Sequence, residues 1–179
     1  MLRAEDTVLV VIDVQGKLAQ LMHDKEELFK NIRTMILGAQ ALDVPILLTE
    51  QYPEGMGSTI PEIADLLEGV TPIAKTSFSC CGDDGFTEAF ANVGREQALL
   101  VGIETHICVW QTAYDLLESD YEVHVVADAV SSRNAANKHI GLENMRDSGA
   151  IMTCTETALF ELLRVAEGPK FKEILKLVK

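Results

Sequence analysis

Three residues of this chain, a carboxylic acid, an ammonium and a thiol, could together carry out nucleophilic chemistry. Asp13 and Lys75 each end a short apolar run, and Cys108 comes shortly after a third. In such a set the carboxylate takes the thiol proton and the thiolate attacks an electrophilic carbon. The ammonium keeps the carboxylate ionised and oriented. These residue types therefore predict a cysteine hydrolase.

Cys108 lies where a predicted strand passes into a predicted helix. The run Ala98–Val101 is typical of a buried strand, and apolar residues recur at helical spacing after Cys108. Thr105 is a residue type favoured at the N-cap, which would place Cys108 in the first helical turn. Free N–H groups and the helix macrodipole stabilise a thiolate there, so we expect a lowered pKa for Cys108, more so if Lys75 is near.

Segments typical of strands and of helices alternate along the whole chain. Apolar runs predict strands at 8–14, 45–49, 72–75, 97–101, 122–127 and 150–153. Runs that are apolar on both faces are typical of parallel strands covered by helices. We predict a single domain over residues 1–179 of the α/β class. It would be a three-layer α/β/α sandwich with about six, mainly parallel strands and Rossmann-like topology. Ligands bind such sheets at the carboxyl ends of the strands, where Asp13, Lys75 and Cys108 would meet.

Composition restricts the classes of partner. The chain has 28 acidic and 15 basic residues and a formal charge of −13, which argues against binding nucleic acid or an anionic membrane. The first apolar run is too short for a signal peptide core or a membrane span. The four cysteines include no Cys-x-x-Cys pair and fit a reducing compartment. We therefore expect a cytoplasmic protein that acts on a small molecule.

Cofactor and metal motifs are missing from the sequence. No G-x-G-x-x-G run follows a predicted strand, and there is no P-loop. None of the four histidines is paired at ligand spacing. We expect no cofactor and no metal.

Further residues are candidates for the walls of a pocket. They are Gln15, Tyr52, Phe78 and His106. Because residues two apart on a helix point to different faces, His106 is expected at a wall or an interface, not as the base for Cys108. Arg133 is expected to pair with Asp128 or with a neighbouring subunit.

Several segments resemble the isochorismatase-like (cysteine hydrolase) superfamily. They are VIDVQ, AKTSFS and the long GIETHICVWQTAYDLLESDYEVHVVADAVSSR. The segments LLTEQYPEGMGSTIPE and FKEILKLVK are similar to the branch of isochorismatase-domain-containing proteins. The resemblance implies the same sandwich fold, with Asp13 as base, Lys75 as orienting cation and Cys108 as nucleophile.

The resemblance also implies details of the site and its assembly. The family has a cis peptide that matches Ile103–Glu104, which would turn the backbone N–H groups of Glu104 and Cys108 toward the substrate oxygen. It implies a homo-oligomer, a dimer or a tetramer.

Two departures from related enzymes narrow the predicted reaction. Cys108 argues against the vinyl-ether cleavage of true isochorismatases, and the Asp-x-His metal motif of nicotinamidases is missing. We predict a metal-independent hydrolase that cleaves a C–N bond of a small amide, carbamoyl or ureido substrate through a covalent Cys108 intermediate. The alternatives are a non-catalytic interaction or scaffold protein with this fold, and a redox sensor pairing Cys108 with Cys154 or with Cys80 or Cys81.

Overall fold

The computed structural model describes residues 1–179 and contains one six-stranded sheet. The strands are β1 (Thr7–Ile12), β2 (Ile46–Gln51), β3 (Ile73–Lys75), β4 (Gln97–Ile103), β5 (Glu122–Ser131) and β6 (Ile151–Thr153). Their order is β3-β2-β1-β4-β5-β6, and every neighbouring pair is parallel. The predicted fold class is confirmed.

Helices connect the strands. They are α1 (Gly16–Ala19), α2 (Lys25–Ala41), α3 (Pro53–Met56), α4 (Pro61–Ala64), α5 (Asp84–Val93), α6 (Trp110–Glu118), α7 (Ala135–Asp147), α8 (Thr155–Leu163) and α9 (Gly168–Leu177). Side chains of Asp83 and Asn134 cap the first turns of α5 and α7. None of these helices is both long and apolar enough to cross a membrane.

The sheet separates two hydrophobic cores because alternate residues of its strands point to opposite faces. On β1, Leu9 and Val11 pack into a core built with α2, α8 and α9. Val8, Val10 and Ile12 pack into the other, built with α5, α6 and α7. This is the three-layer arrangement that the doubly apolar runs predict.

Strand order reverses between β1 and β4, whose carboxyl ends are neighbours. Gly102 permits this approach: it has φ 138°, and a Cβ there would lie 2.2 Å from the carbonyl oxygen of Ile12. The residues that follow β1, β2 and β4 all adopt the left-handed region, Asp13 with φ 55°, Tyr52 with φ 38° and Glu104 with φ 56°. Such conformations in non-glycine residues cluster at functional sites, which directs attention to this edge.

Candidate active site

Asp13 and Lys75 form a buried ion pair at the carboxyl edge of the sheet. Lys75 Nζ lies 2.7 Å from Asp13 Oδ2, and the two side chains are 0% and 3% exposed. The ammonium also donates to Gln51 Oε1 at 2.9 Å and to the carbonyl oxygens of Ser77 and Phe78, both at 3.1 Å. An ion pair is tolerated at such depth only when its hydrogen bonds are satisfied, as they are here.

Strand register brings these residues together. Lys75 pairs with Gln51 across β3 and β2, and the N–H of Asp13 donates to the carbonyl oxygen of Thr49 at 3.3 Å, just past the end of β1. Adjacent strand ends therefore place the carboxylate and the ammonium side by side. The expected meeting of Asp13 and Lys75 follows directly from the parallel sheet.

Cys108 lies in a π-helical turn, Thr105–Val109, between β4 and α6. The residue that caps this turn is Glu104, not the expected Thr105, and α6 begins only at Trp110. Cys108 therefore does lie in the first helical turn, as expected, but that turn is π-helical and its N-cap position is one residue earlier than predicted. Helix α7 packs closely on the turn. A Cβ added at Gly141 of this helix would lie only 2.8 Å from backbone atoms of His106. π-Helical turns are frequent at functional sites.

The pKa of Cys108 departs from the expectation. Burial raises the pKa of the Cys108 thiol, and the negative charge of Asp13 raises it further, while the Lys75 ammonium acts in the opposite direction. The prediction of a lowered pKa was wrong, because Cys108 is buried, with only 7% of the residue exposed, and the acid offsets the nearby cation. The resting sulfur is therefore a neutral thiol, which needs a base to become a nucleophile.

A cavity of about 250 Å³ opens onto the sulfur and the carboxylate. It is lined by Asp13, Leu18, Gln51, Met56, Phe78, Ile103, Glu104, Ile107, Cys108 and Arg133. The walls are mostly apolar with a few convergent polar groups, as in small-molecule sites.

The structure places the four candidate pocket residues in different surroundings. Phe78 lines the cavity, whereas Gln15, Tyr52 and His106 do not. The fully buried Gln15 instead ties the end of β2 to the next loop, since its amide donates to the carbonyl oxygens of Gln51 and Gly57. Tyr52 is 53% exposed. His106 Nδ1 lies 3.0 Å from Ser132 Oγ and 3.4 Å from Glu104 Oε2.

Glu104 and Arg133 form a second ion pair at the cavity, which sequence reasoning missed. Arg133 Nε donates to Glu104 Oε1 at 2.7 Å. Arg133 was expected to pair with Asp128 or with a neighbouring subunit. Within the chain Asp128 is not its partner, since it accepts from the N–H and hydroxyl of Thr155 at the start of α8. No periodic signal marks Arg133, which becomes part of the site only because β5 extends to Ser131.

The peptide bond between Ile103 and Glu104 is trans, so the expectation of a cis bond was wrong. The chain turns here through the left-handed backbone of Glu104, with φ 56° and ψ 62°. The N–H of Glu104 donates to no other group of the chain. It is therefore free to donate to a bound molecule.

No group of three or more His, Cys, Asp or Glu side chains is arranged to hold a metal ion. Around the cavity, the carboxylates of Asp13 and Glu104 are each paired with a cation of the chain. The donors present therefore do not resemble a metal centre.

The fold is thus a parallel α/β/α sandwich with an acid, an ammonium and a thiol gathered at its carboxyl edge. The sequence profile described as "Isochorismatase domain" matches residues 7–157. The chain belongs to the isochorismatase family, and this membership supports a hydrolase role.

Similar proteins span nearly the whole chain. An isochorismatase domain-containing protein 2 from Danio rerio is 38% identical over 177 residues, which is 99% of this chain and 89% of that protein. A secreted isochorismatase effector from Phytophthora sojae is 41% identical over 177 residues, 97% of this chain and 84% of that protein.

Solved structures confirm the fold. A structure described as MAR1 ribonuclease from Caenorhabditis elegans matches with a TM-score of 0.93 and 38% identity. The match covers 99% of this chain and 91% of that protein. A protein from Escherichia coli is described as an octameric hydrolase of unknown specificity. Its structure matches with a TM-score of 0.93 and 23% identity, and the match covers 98% of this chain and 88% of that protein.

Proposed function

We propose that this protein is a metal-independent cysteine hydrolase. Its substrate would be a small amide, carbamoyl or ureido compound, cleaved at a C–N bond through a covalent Cys108 intermediate. One observation carries the proposal: a neutral buried thiol shares a small cavity with the carboxylate of a 2.7 Å buried ion pair. A structural role alone gives no reason to bury an acid and a cation beside a cavity.

The reaction begins with proton transfer. Asp13 accepts the thiol proton while Cys108 Sγ forms a bond to the substrate carbonyl carbon. The oxygen of that carbonyl takes up the electron pair and is stabilised by backbone N–H groups, with those of Glu104 and Cys108 as the proposed donors. The C–N bond then breaks, and the leaving nitrogen takes the proton from Asp13.

Water completes the cycle. Asp13 removes a proton from a water molecule as the water oxygen attacks the thioester carbon. The C–S bond breaks, the carboxylic acid leaves, and the proton returns to Cys108. Lys75 holds the carboxylate in place through its bond to Oδ2.

Cleavage of RNA is a second candidate function, because the similar protein from Caenorhabditis elegans is described as a ribonuclease. The formal charge of −13 disfavours a polyanionic substrate, since phosphate contacts supply most of the affinity for nucleic acids. A cavity of about 250 Å³ also suits a small molecule better than a polynucleotide. We therefore favour the amide-type substrate.

We also propose a homo-oligomer located in the cytoplasm. Exposed apolar side chains, among them Leu21, Phe78, Tyr114 and Ile140, offer surface for association. The similar Escherichia coli protein is described as octameric. Four free cysteines fit a reducing compartment, although the similar Phytophthora sojae protein is described as secreted.

The test is a panel of small amides, carbamates and ureides, with a short RNA as a further substrate. Ammonia or amine release is measured for the wild type, for Cys108→Ala and for the control Cys81→Ala, whose cysteine does not line the cavity. We expect turnover of at least one C–N substrate, a trapped acyl adduct on Cys108, and loss of both in Cys108→Ala alone. Turnover that survives Cys108→Ala, or cleavage of RNA only, would contradict the proposal. No turnover at all would favour the interaction-protein alternative.

A further inference from the structure

Thr49 contacts the Asp13 carboxylate from inside the protein. Its Oγ1 lies on β2 and donates to Asp13 Oδ1 at 2.7 Å. Thr49 is fully buried and does not line the cavity, so this hydroxyl serves neither solvent nor substrate. It is the partner of the carboxylate oxygen that Lys75 leaves free.

A second buried group acts on the same hydroxyl. Cys80 Sγ lies 3.8 Å from Thr49 Oγ1 as a donor, and Cys80 is itself fully buried. Burial raises the pKa of the Cys80 thiol to about 12, so its proton stays on the sulfur near neutral pH. Because a hydroxyl carries one proton, accepting from Cys80 directs that proton of Thr49 toward Asp13.

These contacts hold both oxygens of the carboxylate. Lys75 binds Oδ2 and Thr49 binds Oδ1, so rotation of the group about its Cβ–Cγ bond would break one charge-assisted hydrogen bond. The lone pairs that remain are thereby fixed relative to Cys108. A base must lie within hydrogen-bond reach of its proton in the correct geometry, so this restraint bears on the reaction rate.

We propose that Thr49 is a positioning residue for Asp13, and that the buried Cys80 thiol orients the Thr49 hydroxyl. This inference rests on the proposed function only in that Asp13 is the base for Cys108. It assigns a role to a cysteine that does not reach the cavity and to a threonine that the substrate does not touch.

The test measures alkylation of Cys108 by iodoacetamide, followed by mass mapping, and separates the maximal rate constant from the half-saturating concentration. Thr49→Val keeps the shape and removes the hydroxyl. We expect it to lower the maximal rate constant about ten- to a hundredfold, with half-saturation unchanged within about twofold. Thr49→Ser restores the hydroxyl, and its rate should stay within about threefold of the wild type.

Thr7→Val is the matched control, because Thr7 is likewise a fully buried, hydrogen-bonded threonine, at the opposite end of β1. Its alkylation constants should equal those of the wild type. Cys80→Ala, which leaves Thr49 in place, should reduce the rate by about two- to fivefold, since the hydroxyl loses its orienting donor. It also tests the inference independently should Thr49→Val not fold.

Asp13→Asn in the same assay separates the two ideas when alkylation is measured at neutral pH, where the Cys108 thiol is protonated in both proteins and the rate reports base-assisted removal of its proton. If Asp13→Asn leaves the alkylation rate unchanged, the assignment of the base fails and the proposed function with it. If Asp13→Asn slows the reaction while Thr49→Val and Cys80→Ala behave like Thr7→Val, the positioning role of Thr49 alone is overturned. Equal loss in Thr49→Ser and Thr49→Val would also overturn it, because then packing and not the hydroxyl would matter.

Discussion

The two ends of the same strands bury polar groups in very different ways. At the amino end, the first residues of β1, β4 and β5 are the buried Thr7 and Gln97 and the half-exposed Glu122, and they bond to one another. Gln97 accepts from the hydroxyl of Thr7 at 3.0 Å and donates to Glu122 at 2.7 Å. His124 adds a contact of 2.6 Å to Glu122. These groups do not line the cavity beside Cys108.

At the carboxyl end, the buried polar groups are charged and face a cavity. Asp13, Lys75 and Cys108 are each less than 9% exposed, and three strands end in left-handed residues. Buried charge and strained backbone are costly, and they persist where function requires them. Hydrogen-bonded polar groups occur at both ends, whereas buried charges beside a nucleophile and a cavity occur only at the carboxyl end.

Loss of the thiol or of the base should produce the largest effect. We expect Cys108→Ala and Asp13→Asn each to reduce turnover of a C–N substrate by about 10³-fold or more, because the two act as one unit. The double variant should be scarcely worse than either single variant. Steady-state rates of the three proteins check this.

Thr7→Val provides the comparison at the other end of the strands. Its turnover should match that of the wild type once the folded fraction is equal. If the fold-reductions in turnover of Cys108→Ala and Asp13→Asn multiplied in the double variant, the two residues would act separately.

Removal of the buried cation should cost more stability than any change at the amino end. Lys75→Met leaves the Asp13 carboxylate buried without its ion pair, which typically costs about 3–5 kcal/mol. Thr7→Val removes a neutral hydrogen bond and should cost about 1–2 kcal/mol. Urea unfolding of both variants measures the difference. Equal losses would remove the distinction drawn between the two ends.

The pH dependence of Cys108 should respond to its neighbours with opposite signs. Because the Asp13 charge raises the pKa of Cys108, Asp13→Asn should move thiolate formation to lower pH. Because Lys75 lowers that pKa, Lys75→Met should move it to higher pH. The ultraviolet absorbance of the thiolate, compared at alkaline pH in the wild type and both variants with Cys108→Ala as the blank, gives the direction of each shift. Shifts of the same sign in both variants would contradict this account.

Much of the fold could be predicted from local pattern. The apolar runs located all six strands, and their lack of alternation indicated a parallel sheet. The end of β5 was placed at residue 127, whereas the strand continues to Ser131. Strand ends depend on pairing with neighbours, which a single sequence does not display.

The placement of Asp13, Lys75 and Cys108 could also be predicted, since parallel strands share a carboxyl edge. The electrostatics at Cys108 could not, because burial and the distance to Asp13 exist only in three dimensions. Thr49 and Gln51 were missed for the same reason. A polar residue at a strand end becomes meaningful only when its partner across the sheet is known.

The smallest expected effect belongs to the amino end. A hydrogen bond from His124, with further help from Gln97, lowers the pKa of Glu122. A lowered folded-state pKa means stabilisation that is present above about pH 4.3, the value for a free glutamate, and lost as the pH falls through the folded value. The side chain is 44% exposed, so solvent screening should keep the loss in Glu122→Gln below about 1 kcal/mol at pH 7. Thermal unfolding of the wild type and Glu122→Gln should therefore differ slightly at pH 7 and converge near pH 3, with a smaller difference in high salt. Alkylation of Cys108 should be the same in both proteins, and a change there would show that the amino end is coupled to the site after all.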